Sequence, residues 1–143
     1  MRYVVAADGS EASLKAANFF VEHMGPGPDD EVFIVYVFPL PSDPELYSDV
    51  LSLPSQPDDQ RVVKLADQVH RQIAEHFANL ESRVHRVTLV GNPAKEIVEF
   101  AMNMNVSMIV AGTRGQTPAT ELYLGSVSSA LIHRAQCSVL IVR

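Results

Sequence analysis

Short apolar runs alternate along the chain with longer stretches whose apolar residues recur every three or four positions. Tyr3 to Ala7 is apolar throughout, as a strand buried on both faces would be. Leu14, Ala17, Val21 and Met24 then recur at helical spacing, with Ser10 placed to cap the helix and Gly25-Pro26 to end it. Glu31 to Phe38, β-branched and aromatic, predicts a second strand. Val62, Ala66, Val69, Ile73 and Phe77 line one face of a long second helix. His85 to Val90 predicts strand three, after which Asn92 stands as N-cap and Pro93 at the first helical position. Ala94, Ile97, Val98, Ala101 and Met104 form the buried stripe of that third helix. Ser107 to Ala111 is a fourth strand, about Ser126 to Arg134 a short helix, and Ser138 to Val142 a fifth strand. Alternating strands and helices imply an α/β fold, a parallel sheet with right-handed crossovers and helices on both faces.

Two stretches break this rhythm. Five of the nine prolines fall between Pro39 and Pro57, so Pro39 to Gln60 reads as a long irregular loop, of the kind used as a lid or binding segment. The other break is the glycine-bearing segment Gly112 to Gly125. With 143 residues, no internal repeat and no composition shift, residues 1–143 read as one domain.

Charge narrows the partners. The chain has 11 Lys+Arg and 17 Asp+Glu, a formal net charge of −6, which argues against nucleic acid or an anionic membrane as main partner. A lone cysteine, Cys137, permits no intrachain disulfide. No apolar run approaches the ~20 residues of a membrane helix, and strand-like sequence begins at once. A soluble, cytoplasmic protein is expected.

In open α/β sheets a ligand binds beyond the carboxyl ends of the strands, where the strand order reverses. Two strand exits carry suitable chemistry. Ala7-Asp8-Gly9-Ser10 follows strand one, and Ala111-Gly112-Thr113-Arg114-Gly115 follows strand four. Three of the seven glycines fall in the pattern G-x2-G-x9-G-S from Gly112 to Ser126. Glycine lets backbone N–H groups approach an anion, and a helix amino terminus adds unpaired N–H groups and the positive dipole end. Ser126 can serve as N-cap or phosphate ligand, with Ser128, Thr113 and Thr117 as further hydroxyl donors and Arg114 as the loop's cation. Asp8 can cap the first helix, accept from a ribose hydroxyl or help hold a metal ion; these roles are compatible.

These residues resemble the universal stress protein family over nearly the whole chain. The likeness rests on the opening VVAADGSEAS, on GNPAKEIVEFA, on the IVAGTRG junction, on GSVS, and on the closing CSVLIVR. The spacing from Gly112 to Ser126 matches that family's ATP-binding signature. The resemblance implies a Rossmann-like sheet in the order 3-2-1-4-5, resembling the adenine nucleotide alpha hydrolases. It implies an adenine nucleotide with Mg2+, Asp8 on the ribose or the metal, and Val37 backbone at the adenine. Ala6, Ala111, Gly112, Arg114, Gly115, Gly125, Ser126 and Val127 would complete the nucleotide site. It further implies a homodimer pairing through Ser138 to Val142, and a stress-response role read by a regulatory partner. Two departures stand out: Tyr36 replaces the usual histidine before the strand-two valine, and Ser107 replaces an acidic residue at the start of strand four. The loop interior also places Glu121, which would repel a triphosphate, where some relatives have basic residues.

Other chemistries find little support. No G-x-x-x-x-G-K-[ST] exists, since the lysines are Lys15, Lys64 and Lys95. The histidines His23, His70, His76, His85 and His133 form no i,i+4 pair for zinc. A base beside the phosphates is hard to find beyond Asp8, so binding is expected rather than catalysis. The alternatives are a nucleotide-independent dimeric interaction module, or a slow ATPase or autokinase acting on Ser126 or Ser128.

Overall fold

The computed structural model describes residues 1–40, 56–81, 83–113 and 124–143. Most of the Pro39–Gln60 loop, and Arg114, Gly115, Thr117 and Glu121 of the glycine-bearing segment, lie outside the described residues. The elements are β1 (Arg2–Ala7), α1 (Glu11–Met24), β2 (Glu31–Pro39), α2 (Gln60–Ala74), β3 (Arg83–Gly91), α3 (Pro93–Asn103), β4 (Met108–Gly112), α4 (Ser126–Arg134) and β5 (Ser138–Val142). A 3₁₀ turn, Glu75–Phe77, tightens the end of α2.

The five strands are parallel and lie in the order β3-β2-β1-β4-β5, as expected. Strand alternation divides the core into two layers. Tyr3, Val5, Ile34 and Tyr36 pack under α1 and α2, and Val4, Phe33, Val35 and Ile109 under α3 and α4. At the amino ends of the strands, Glu31 accepts from Arg2 at 3.1 Å and pairs with Arg83 at 3.0 Å, so opposite charges mark the register of β1, β2 and β3.

Helix ends follow the chain's own signals. Ser10 caps α1 by accepting the Ser13 amide at 3.2 Å, and Gly25 ends that helix at φ +51°. Asn92 caps α3, accepting the Lys95 amide at 3.0 Å. Asn105, at φ +51°, turns the chain out of α3, and the Val106 amide donates back to Ala101 O at 2.9 Å.

The buried face of α1 differs from the expected stripe. Ser13, Ala16, Ala17 and Phe20 are buried, Leu14 and Val21 only partly so, and Met24 is exposed. Small side chains win this face because α1 lies close against the sheet, and only Phe20 supplies bulk there.

His70, on α2, is a buried polar group that the helical pattern gave no reason to single out. It is 5% exposed, donates from Nε2 to Val87 O at 3.1 Å and meets the Tyr36 ring edge-on. Burial pushes its pKa below the usual 6.5, and Arg86 adds to that; the Val87 and Ile34 carbonyls and Asp67 act the other way. The unfolded chain therefore takes up this proton more readily than the folded one. Stability from this site is full above about pH 6.5 and falls as the pH drops toward the folded pKa. His70→Gln, which keeps a donor for Val87, should lose less melting temperature than the parent between pH 7.5 and 5. Equal losses in the two proteins would contradict this assignment.

Candidate functional site

The chain runs β1-β2-β3 toward one edge of the sheet and β4-β5 toward the other, so the order reverses between β1 and β4. The crevice beyond these two strands is where such a sheet offers a site. Both strand exits singled out in the sequence open there.

At the β1 exit, Gly9 turns the chain at φ +79°. Asp8 Oδ1 accepts the Ser10 amide at 2.8 Å, while Ser13 Oγ donates to Ser10 O at 2.9 Å. Asp8 therefore does shape the turn into α1, the structural role foreseen for it, and presents its carboxylate at the switch point. Tyr36 lies beside Ala7 in register, and its phenol is pushed upward in pKa by burial first and by Asp8 second. Tyr36 thus sets a neutral hydroxyl in the field of the Asp8 carboxylate.

The β4 exit corrects part of the sequence reading. A side chain on Gly112 would lie 2.6 Å from the backbone carbon and oxygen of Ala12. Glycine is needed here for the close approach of α1, whatever else its backbone meets. Gly125, in extended conformation (φ −62°, ψ 162°), is the N-cap of α4, so Ser126 is the first helical residue rather than the cap. Glycine provides no capping side chain, and the first-turn N–H groups of Ser126 and Val127 have no intrahelical acceptor. Ser128 Oγ donates to Gly112 O at 2.7 Å and is buried, so its proton is not available as a phosphate donor.

Two further bonds close the loop's base. The Gly125 amide donates to Thr113 O at 2.7 Å, and the Thr113 amide to Val142 O at 3.1 Å. The amino end of α4 is thereby pinned to the end of β4.

Of the expected site residues, Ala6 and Ala111 lie one step past the paired Val5 and Val110, at the crevice floor. Asp8, Gly112, Gly125, Ser126 and Val127 border the same space; Ser126 is exposed and Val127 partly buried. Val37 lies near the end of β2, in the α3/α4 core layer with Ala6 and Ala111. Arg114 and Gly115 belong to the segment outside the described residues. The contacts of Ala12 with Gly112, and of Ser128 with Gly112, were not foreseen; the small residues Ala12, Ala16 and Ala17 are the signal that could have suggested the first.

A groove of about 260 Å³ lies at the opposite end of the sheet, lined by Val98, Met102, Asn105, Ile109, Gln136 and Cys137. It brings no carboxylate or cation to bear, and burial raises the Cys137 pKa, leaving a poor nucleophile. The carboxylate and helix start singled out in the sequence lie instead at the β1–β4 end of the sheet. Among the described residues no three His, Cys, Asp or Glu side chains gather for a metal ion. A magnesium ion would fit here only as one carried on ligand phosphates, with Asp8 as protein ligand. No helix among the described residues is long and apolar enough to cross a membrane.

The strand order and the helices on both faces define a doubly wound α/β protein whose fourth helix begins at the switch point. The chain belongs to the universal stress protein family, whose profile matches residues 1–143. It is 33% identical over 150 residues to universal stress protein MJ0531 of Methanocaldococcus jannaschii, covering 99% of this chain and 81% of that one. Among solved structures, hypothetical protein MJ0577 of the same organism superposes with a TM-score of 0.78 at 23% identity, covering 99% and 94% of the two chains. A universal stress protein of Archaeoglobus fulgidus in complex with dAMP superposes with a TM-score of 0.67 at 19% identity, covering 100% and 98% of the two chains. Other family structures sharing the fold are a complex with cAMP (TM-score 0.61, 20% identity, covering 100% and 96%) and an Arabidopsis thaliana protein with AMP bound (0.66, 12%, covering 99% and 90%).

Proposed function

We propose that this protein binds an adenine nucleotide, ATP with Mg2+ foremost, in the crevice between β1 and β4, and acts in the stress response as a regulator. The observation that carries the reading is the amino end of α4, which has no side-chain cap among the described residues, placed after β4 at the switch point where β1 runs into Asp8. Family membership, and relatives bound to cAMP, dAMP and AMP, support the adenine choice.

The phosphates would meet the N–H groups of Ser126 and Val127, backbone at Gly112 and Gly125, and Arg114 and Gly115 of the intervening segment. Asp8 would take the ribose hydroxyls or the metal, and backbone around Val37, Ala6 and Ala111 the base. Mg2+, when bound, neutralises phosphate charge. Asp8 already accepts the Ser10 amide, and the hydroxyl of Ser128 is engaged, so this residue set suits holding a nucleotide better than cleaving one. Residues 1–143 act as one domain in this reading, in the cytoplasm. A second copy pairs along β5, the outer strand of the sheet, and a regulatory protein reads the nucleotide state.

Adding ATP and Mg2+ to nucleotide-free protein at about 100 times Kd should stabilise it by about 2.7 kcal/mol. In a chain of this size that raises the melting temperature by roughly 5–10 °C. An unchanged melting temperature at millimolar ATP would overturn the proposal. With γ-labelled ATP, neither free phosphate nor labelled protein should accumulate over the same period.

A further inference from the structure

We propose that Ser128 is a positioning residue for the nucleotide phosphates, acting through the backbone of α4 rather than by touching the ligand. The inference rests on the adenine-nucleotide reading of the β1–β4 crevice and assigns a part of that site's affinity.

Ser128 is the third helical residue of α4. A serine in a first turn ordinarily faces water or bonds within its own helix. Ser128 does neither. It is 3% exposed, and its hydroxyl crosses to the carbonyl of Gly112, sixteen residues earlier, at 2.7 Å. Gly112 is the last residue of β4, held by β5 on one side and pressed by Ala12 on the other, so its carbonyl is a fixed point. A hydroxyl has one proton to give, and here it goes to that carbonyl.

The Gly125 amide makes the second attachment, to Thr113 O, also at 2.7 Å. Two short bonds thus clamp the first turn of α4 to successive residues of the β4 end. Between the clamped positions lie Ser126 and Val127, whose N–H groups have no intrahelical acceptors. Hydrogen bonds to an anion weaken steeply as donors swing out of line. Without the Ser128 bond the turn's hydrogen bonding to the β4 end rests on Gly125 alone, so the turn can pivot about its packed Val127, and the buried Gly112 carbonyl is left without that donor.

The prediction separates phosphate binding from base binding. Ser128→Ala should weaken ATP and AMP by about tenfold, while adenosine, which has no phosphate, should compete for the site as well as it does in the parent protein. Ser128→Thr, which restores the hydroxyl, should return ATP affinity to within about threefold. Should the alanine variant fail to fold, Ser128→Cys, a similar volume with a weak donor, should show a smaller loss confined to the phosphate-bearing ligands. Unchanged ATP affinity in Ser128→Ala, or equal losses for ATP and adenosine, would overturn the positioning role while leaving the nucleotide reading intact. A parent protein that binds neither ATP nor adenosine would instead overturn the nucleotide reading, and this inference with it.

Discussion

Gly112→Val should cost about 3 kcal/mol or more, at the upper end of what overpacking does. The new Cβ would meet the Ala12 carbonyl carbon and oxygen at 2.6 Å, and these are main-chain atoms that cannot rotate away. Relief requires α1 to lift from β4. That in turn loosens the Asp8–Ser10 turn and the buried face of Ser13, Ala16 and Ala17. Gly112→Ala should show a smaller loss of the same kind. Denaturant midpoints measure both, and a valine variant as stable as the parent would mean that α1 and β4 do not approach so closely.

Phe20→Ala should be at least as damaging, by about 3–5 kcal/mol. Phe20 is fully buried, with its ring 5.0 Å from Tyr3 and 6.3 Å from Phe77. It is the only large side chain on the buried face of α1, and it joins that helix to β1 and to the turn after α2. Its neighbours on α1 are too small to fill the space. Phe20→Leu should recover most of the stability, whereas an alanine variant losing less than about 1 kcal/mol would show that the site collapses easily.

Both predictions concern the helix whose orientation the sequence left least determined. Leu14, Ala17, Val21 and Met24 look like a core stripe by residue type, yet of these only Ala17 is fully buried, and the close approach at Gly112 brings in Ser13 and Ala16 beside it. That choice depends on a neighbour a hundred residues away, and helical periodicity carries no such information. The other elements were legible because their signals are local. Asn92-Pro93 starts a helix by its own chemistry, and the apolar runs at Tyr3 and Ser138 mark strands without reference to any partner.

The candidate site was legible to a similar degree. The spacing from Gly112 to Ser126 marked a strand end and a helix start, and the fold does place both at the switch point of the sheet. The division of labour within the site was not legible. Whether a glycine is required by a ligand or by Ala12, and whether a serine hydroxyl faces the crevice or a buried carbonyl, depends on packing. Ser126 and Ser128 look alike in sequence; one is exposed at the helix start and the other is spent inside. His70 was hidden for the same reason, since only the assembled sheet supplies the Val87 carbonyl that makes its burial tolerable.

Amide NMR spectra of the nucleotide-free protein, titrated with ATP and Mg2+, test the central claim most directly. The signals of Gly9, Gly112, Thr113, Ser126 and Val127 should move together with one saturation curve, while Arg83, Asn105 and Gln136 at the far end of the sheet stay in place. Shifts confined to Asn105, Gln136 and their neighbours, or none at all, would contradict a nucleotide site between β1 and β4.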